Sequence, residues 1–365
     1  MPDWAGRENV ETAKDVEHKK LVALDWLRAA TVLMLLYDHI GAYRNPEWEI
    51  KKLVDFFIVD PFNIIFDFGM LGNAIFFLIS GVLFIYNRNH LILSVKPLKK
   101  ILKFYLTSMS AFLCFWAVQT AYSHFQPTYW SSFTTQQWIE SMTMYCYFIG
   151  KSDVINGTTW FLLPMGLFYL VTIPYTCMYK YVGEYAILFV DIALAGLFLS
   201  GVCNNMLTIL LLMVYLPLAG IIIGNFLFRS TERRLCRCLA LSAFNWMIFI
   251  YLWQREVEII KAAIDVGPLF ELSYFVSCSY AYLLVILGIL LTDCFTQNRL
   301  IQFICRISLS VYVLQMTFGS FVIALFTSMG INYTIAFFMA VGITLLLSFA
   351  HYEIVEQKIL RRIIH

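Results

Sequence analysis

Four ionisable residues fall within one apolar stretch, Leu21 to Tyr43, LVALDWLRAATVLMLLYDHIGAY: Asp25, Arg28, Asp38 and His39. Charged side chains in a run of bilayer length cost a few kcal/mol or more and usually face a polar cavity, so they mark a functional site by default. Histidine, whose free pKa is about 6.5, is the side chain best suited to general-base work at neutral pH. Arginine is suited to holding a carboxylate or phosphate. Arg28 and His39 are eleven residues apart, close to three α-helical turns. Both therefore emerge on one face, about 16 Å apart along the axis. Asp25 lies one turn before Arg28 and can pair with it. Asp38 points about 100° away from His39, which argues against a dyad within this helix. A plainer reading stands beside this one: Asp25 and Arg28 snorkel at one end of a span, and His39 caps the other.

The elements that must position these residues are membrane helices. The 365-residue chain is 60% hydrophobic and 14% charged, whereas a soluble domain is roughly one quarter charged. Its apolar runs of about twenty residues do not alternate, which indicates an all-α, polytopic membrane protein and not a β-barrel. Ten spans are expected, at 21–43, 66–86, 104–125, 159–178, 185–202, 207–228, 239–253, 269–292, 307–327 and 333–354. Residues 54–65 are apolar but contain Asp55, Asp60 and Pro61, so they read as an interfacial or re-entrant piece. With the amino terminus inside, most of the 26 Lys and Arg residues fall on cytoplasmic segments. The clusters Arg88 to Lys103, Arg229 to Arg237 and Lys358 to Arg362 dominate, and they place both termini in the cytoplasm. The chain thus divides into a cytoplasmic segment 1–20, a membrane domain 21–354 and a basic tail 355–365.

The first twenty residues are charged throughout and show no signal-peptide core. A net charge of +2 points to no particular partner, and none of the basic runs suggests a nucleic acid. The nine cysteines form no CxxC pair, so no metal centre is expected. Cys146 and Cys203 fall on the expected outer side, where a disulfide stays open. The external loop Gln126 to Gly157 carries Trp130, Trp138 and several tyrosines, either interfacial belt residues or platforms for a sugar face.

Several later stretches bear on chemistry. Gly72 to Gly81, GNAIFFLISG, holds small residues (Gly72, Ser80, Gly81) that let helices approach closely. Val95 to Tyr105, VKPLKKILKFY, presents Lys96, Lys99, Lys100 and Lys103 to the cytoplasm. These lysines either anchor a span among anionic headgroups or grip the phosphates of a donor. Asp191 is an isolated carboxylate in the fifth span, which a hydrogen bond from a neighbouring helix would satisfy without any function.

Taken together, LDWLR with the following DH resembles the opening of the acyltransferase-3 family, membrane enzymes that O-acylate sugars and lipids. The family pattern of a basic residue, ten residues and a histidine is matched by Arg28 and His39. Its FFxLSGF signature is matched by Phe76, Phe77, Ile79, Ser80 and Gly81, with Val82 departing, and Lys100 and Lys103 stand at its Arg-x-x-Arg. Its Trp-led motif is matched by Trp160, Leu162, Phe168, Tyr169 and Pro174, with Met165 where many members carry Glu. Ser308, Ser310 and Tyr312 match ISYSxYLxH, with Gln315 in place of the frequent His, so a role for that His is not carried over. Glu356 matches the terminal Glu-x-Pro element, with Lys358 at the Pro.

The resemblance implies an O-acyltransferase, of acetyl or another short acyl group, in a plasma membrane of the bacterial inner-membrane kind. The donor would be cytoplasmic acyl-CoA, a substrate, with no bound cofactor. The acceptor would be a hydroxyl of an extracytoplasmic glycan or lipid-linked saccharide. His39 would be the general base or, in a covalent variant, carry the acyl group as an acyl-imidazole, and Arg28 would be a catalytic and donor-binding residue, with Lys100 and Lys103 on donor phosphates. Asp25, Ser80, Trp160, Tyr169 and Glu356 would support them. The rival class is a multi-span transporter or flippase, which Asp, Arg and His within the membrane would also suit.

Overall fold

The computed structural model describes residues 21–64, 68–86, 96–125, 133–151, 153, 155–157, 159–203, 205–229, 232–263 and 270–364. The segment 1–20, Arg88 and Trp130 lie outside these residues. The described chain is helical and contains no strand. In order, its main helices are α1 (21–36), α2 (Gly69–Tyr86), α3 (Lys96–Phe125), α4 (Leu162–Val182), α5 (Ala186–Leu199) and α6 (Tyr215–Arg229). They continue as α7 (Glu232–Ala263), α8 (Phe270–Leu290), α9 (Arg299–Leu314), α10 (Ser320–Ser328) and α11 (Tyr333–His351).

Among the described residues, seven helical runs are long and apolar enough to cross a membrane. In lipid, a spanning segment must satisfy its backbone internally, which is why apolar runs of this length become helices. The count differs from the ten apolar runs for three reasons. The runs expected at 159–178 and 185–202 join into one stretch, Thr159–Leu199, bent where Gly183 takes φ +63°. The run Tyr274–Leu290 is shorter than the rest. Residues 21–42 are helical but not among the seven, because Asp25, Arg28, Asp38 and His39 make them too polar. Residues 49–62 form three short turns of helix that bury none of their side chains and expose Leu53, Phe56, Phe57 and Phe62, as an interfacial piece would.

The centre of the bundle is the pair α2 and α6. A Cβ on Gly81 would overlap the Pro217 carbonyl oxygen, and one on Gly220 would overlap that of Leu78. The two backbones therefore touch, which is the close approach that small residues permit. Gly72 lies against Leu35 and Thr31 of α1, and Gly288 of α8 against Leu27. Helix α1 is thus inserted among its neighbours, with α9 on another side through Cys305 and Ser308. Outward-facing Leu113, Trp116, Ile192, Met247, Leu283, Phe338 and Leu346 are exposed, the apolar surface that lipid would cover.

Candidate active site

Helix α1 continues into a π-helical segment, Tyr37–Ala42, and α9 into another, Gln315–Gly319. A third, Tyr352–Leu360, extends α11. Such widened turns are frequent at functional sites, and these three each carry a polar residue of the candidate site, His39, Gln315 and Glu356, while a fourth, Asp55–Val59, lies on the exposed interfacial piece. The first two segments pack against each other. The Ile40 side chain closes on Gly319, and the Tyr333 hydroxyl bonds the Gly41 carbonyl at 2.7 Å.

His39 is largely enclosed, its side chain 15% exposed. Its Nε2 lies 3.5 Å from Asp38 Oδ2, which corrects the expectation that the two would point apart. That expectation assumed α-helical winding; the segment is instead π-helical, with the Tyr43 amide bonding the Asp38 carbonyl five residues back. With Nε2 turned to a carboxylate, the basic lone pair belongs to Nδ1, a buried atom with no hydrogen-bond partner among the described residues. The Gln315 side chain lies beside the ring, and the charge of Arg44 reaches it. Arg44 is itself held by Ser320, which accepts from Nε at 3.1 Å and Nη2 at 2.7 Å. A short loop closes this end: Asp153 accepts from the amides of Ile155 and Asn156 and from the Thr159 hydroxyl, while Asn156 Nδ2 donates to the Val313 carbonyl. Trp160, next in sequence, packs with Phe77 and Phe161.

Three turns along α1, Arg28 donates through Nη2 to the Cys305 carbonyl and to Ser308 Oγ, both at 3.3 Å, with Asp25 3.6 Å from Nη1. Protein partners thus hold this guanidinium. Its charge acts on the buried Tyr169 hydroxyl, and Lys100 Nζ stands 4.9 Å over the Tyr169 ring. Arg28, Tyr169 and Lys100 therefore form one basic, aromatic group.

Lys103 is placed differently from Lys100. Its ammonium is 2.7 Å from Glu356 Oε2, a carboxylate only 2% exposed. Ser310 Oγ donates to Glu356 Oε1 at 2.8 Å and is 2.8 Å from His351 Nδ1, while His351 Nε2 is 2.9 Å from Ser110 Oγ. Five polar residues from α3, α9 and α11 with its extension thus make one chain, buried at Ser310, His351 and Glu356 and opening outward at Lys103. Ser80 joins neither group: its hydroxyl donates to the Phe76 carbonyl of its own helix. Asp191 Oδ1 accepts from Asn245 Nδ2 at 3.0 Å while Tyr215 bonds the Asp191 carbonyl, and Oδ2 has no partner among the described residues. Cys146 and Cys203 are free thiols. Among the described residues, no three His, Cys, Asp or Glu side chains converge as a metal site requires.

Sequence reasoning missed His351, the Asp38–His39 contact, the approach of Gln315 to His39, and Arg44. Gln315 stood out only as a departure from a motif, and Arg44 lies one residue beyond the expected span. His351 gave no signal, because its partners Ser110 and Ser310 are 241 and 41 residues away.

A family model described as an acyltransferase domain, acyltransferase-3, matches residues 21–353. No curated protein and no solved structure matches the chain.

Proposed function

We propose, from the premise that this chain belongs to the acyltransferase-3 family and is a membrane acyltransferase, that it moves a short acyl group, acetyl foremost, from cytoplasmic acyl-CoA to a hydroxyl of an extracytoplasmic or lipid-linked glycan. The observation that carries this reading is the single helix α1. It holds an arginine beside a second cation, and its π-helical continuation holds an enclosed histidine eleven residues further on, roughly 15 Å along the axis by helical rise. An extended pantetheine arm bridges such a separation, so phosphates near Lys100 and a thioester near His39 fit one donor molecule.

The chemistry follows from the groups. The acceptor hydroxyl gives its proton to His39 Nδ1 as its oxygen attacks the thioester carbonyl, and the carbon–oxygen bond forms. The carbon–sulfur bond then breaks, and the imidazolium returns the proton to the leaving thiolate. Asp38 at Nε2 holds the ring; the 3.5 Å separation is of the length that tightens when substrate binds. Such base catalysis is worth about 10² to 10⁴ in rate. Lys100 faces the donor, and Lys103 serves through its pair with Glu356 to fix α3.

Two tests follow. Lys100→Gln should weaken acyl-CoA binding severalfold, more so at low ionic strength, where charges are less screened; isothermal titration of the purified protein measures this, and unchanged affinity refutes the donor contact. The proposed topology has ten crossings, counting α1, α5 and the 274–290 region, with both ends in the cytoplasm. Single cysteines in residues 87–103 and 126–157 of a cysteine-free variant should label from opposite sides, the first from inside. Labelling of both from one side contradicts that topology.

A further inference from the structure

We propose that Gln315 is a substrate-contacting catalytic group, its Nε2–H donating to the acyl carbonyl oxygen as that oxygen becomes an oxyanion beside His39. This rests on the reading of His39 as the base and extends it to a residue with no assigned role.

Gln315 is 0% exposed, and neither its amide nitrogen nor its amide oxygen has a hydrogen-bond partner among the described residues. A buried primary amide left unbonded costs about 1–3 kcal/mol, so a buried orphan of this kind calls for an explanation. Its neighbours Leu314 and Phe318 are apolar and buried, and a leucine would fill the same space without that cost. The orphaned amide lies beside the His39 ring, whose Nδ1 is orphaned as well. His39 and the Gln315 amide are close enough to interact, yet His39 Nδ1 and Gln315 Nε2 lack a well-formed hydrogen bond among the described residues, and the two fit a ligand with both a proton to give and an oxygen to receive one. A hydroxyl attacking a carbonyl has these two features. The hydroxyl satisfies Nδ1 and the carbonyl oxygen satisfies Gln315 Nε2.

The surroundings hold this arrangement in place. The π-helical segment Gln315–Gly319 packs on Tyr37–Ala42, so the amide and the imidazole sit on two elements locked to each other. Arg44, tied to Ser320 just past the same segment, adds positive charge on the side where negative charge develops. Donors fixed before the reaction stabilise an oxyanion without reorganising, which is how such groups lower barriers.

Steady-state kinetics of the reconstituted protein with labelled acetyl-CoA and a glycan acceptor test this. Gln315→Leu should lower kcat by about 10²- to 10³-fold, the typical loss for one oxyanion donor, with the donor KM and thermal midpoint close to parental. Gln315→His retains an N–H donor and should recover most of that loss, whereas Gln315→Glu should not. A Gln315→Leu variant at parental kcat, while His39→Ala is inactive, overturns this proposal alone. Equal losses in Leu, His and Glu variants, each matched by a fall in thermal midpoint, also overturn it and make Gln315 a packing residue. Full turnover by His39→Ala overturns the base reading and this proposal together.

Discussion

Lys103→Met should destabilise the protein, by less than the roughly 3–5 kcal/mol lost when one partner of a fully buried pair is removed, because the Lys103 side chain is 39% exposed. Glu356 is almost fully enclosed, so its carboxylate would be left charged in a low dielectric with only the Ser310 hydroxyl to stabilise it. Lys103→Met combined with Glu356→Leu should recover most of the loss, because replacing both charges by apolar groups is often neutral. Thermal unfolding in detergent, arranged as a double-mutant cycle, measures the coupling. Additive effects would mean that Lys103 is free to serve the donor directly.

His39→Ala should lower acyl transfer by about 10² to 10⁴ while leaving folding and donor binding largely intact, since α1 is held among its neighbours by Leu27, Thr31 and Leu35 against Gly288 and Gly72 and by Arg28 on Cys305 and Ser308. In the parental protein, kcat should fall as pH drops through the pKa of the base in the enzyme–substrate complex, because a protonated imidazole cannot take the acceptor's proton. Asp38→Asn should keep the fold and cost less than His39→Ala, since the carboxylate orients the ring and does not touch substrate. Arg28→Ala should instead raise the donor KM. Lysine at that position restores charge but not the two-pronged contact with the Cys305 carbonyl and Ser308.

The sequence was informative where a local period decides structure. Apolar runs gave the helices, whereas the shared face expected for Arg28 and His39 assumed α-helical winding, which the π-helical segment Tyr37–Ala42 departs from. The small residues around Gly81 indicated the close helix contact that α2 makes with α6. It was silent where the winding itself changes. Nothing in YDHIGA announces a π-helical turn, and that turn brings Asp38 to His39. It was equally silent on partners joined only by the packing of distant helices. Lys100 and Lys103 read as one phosphate grip, yet they point to Tyr169 and Glu356 respectively, since three residues on a helix differ by about 60° in direction. That small angle decides which lysine faces a donor and which is neutralised within the bundle.

The central claim is that one protein joins a cytoplasmic acyl donor to an acceptor hydroxyl across the membrane. Proteoliposomes with the protein in one orientation, [14C]acetyl-CoA on its cytoplasmic side and a glycan acceptor on the other, test it most directly. The account predicts labelled, O-acetylated acceptor on the far side and stoichiometric free CoA thiol on the donor side, both abolished in His39→Ala. Movement of unmodified acceptor across the bilayer with no label transferred, in parental protein and variant alike, would contradict it.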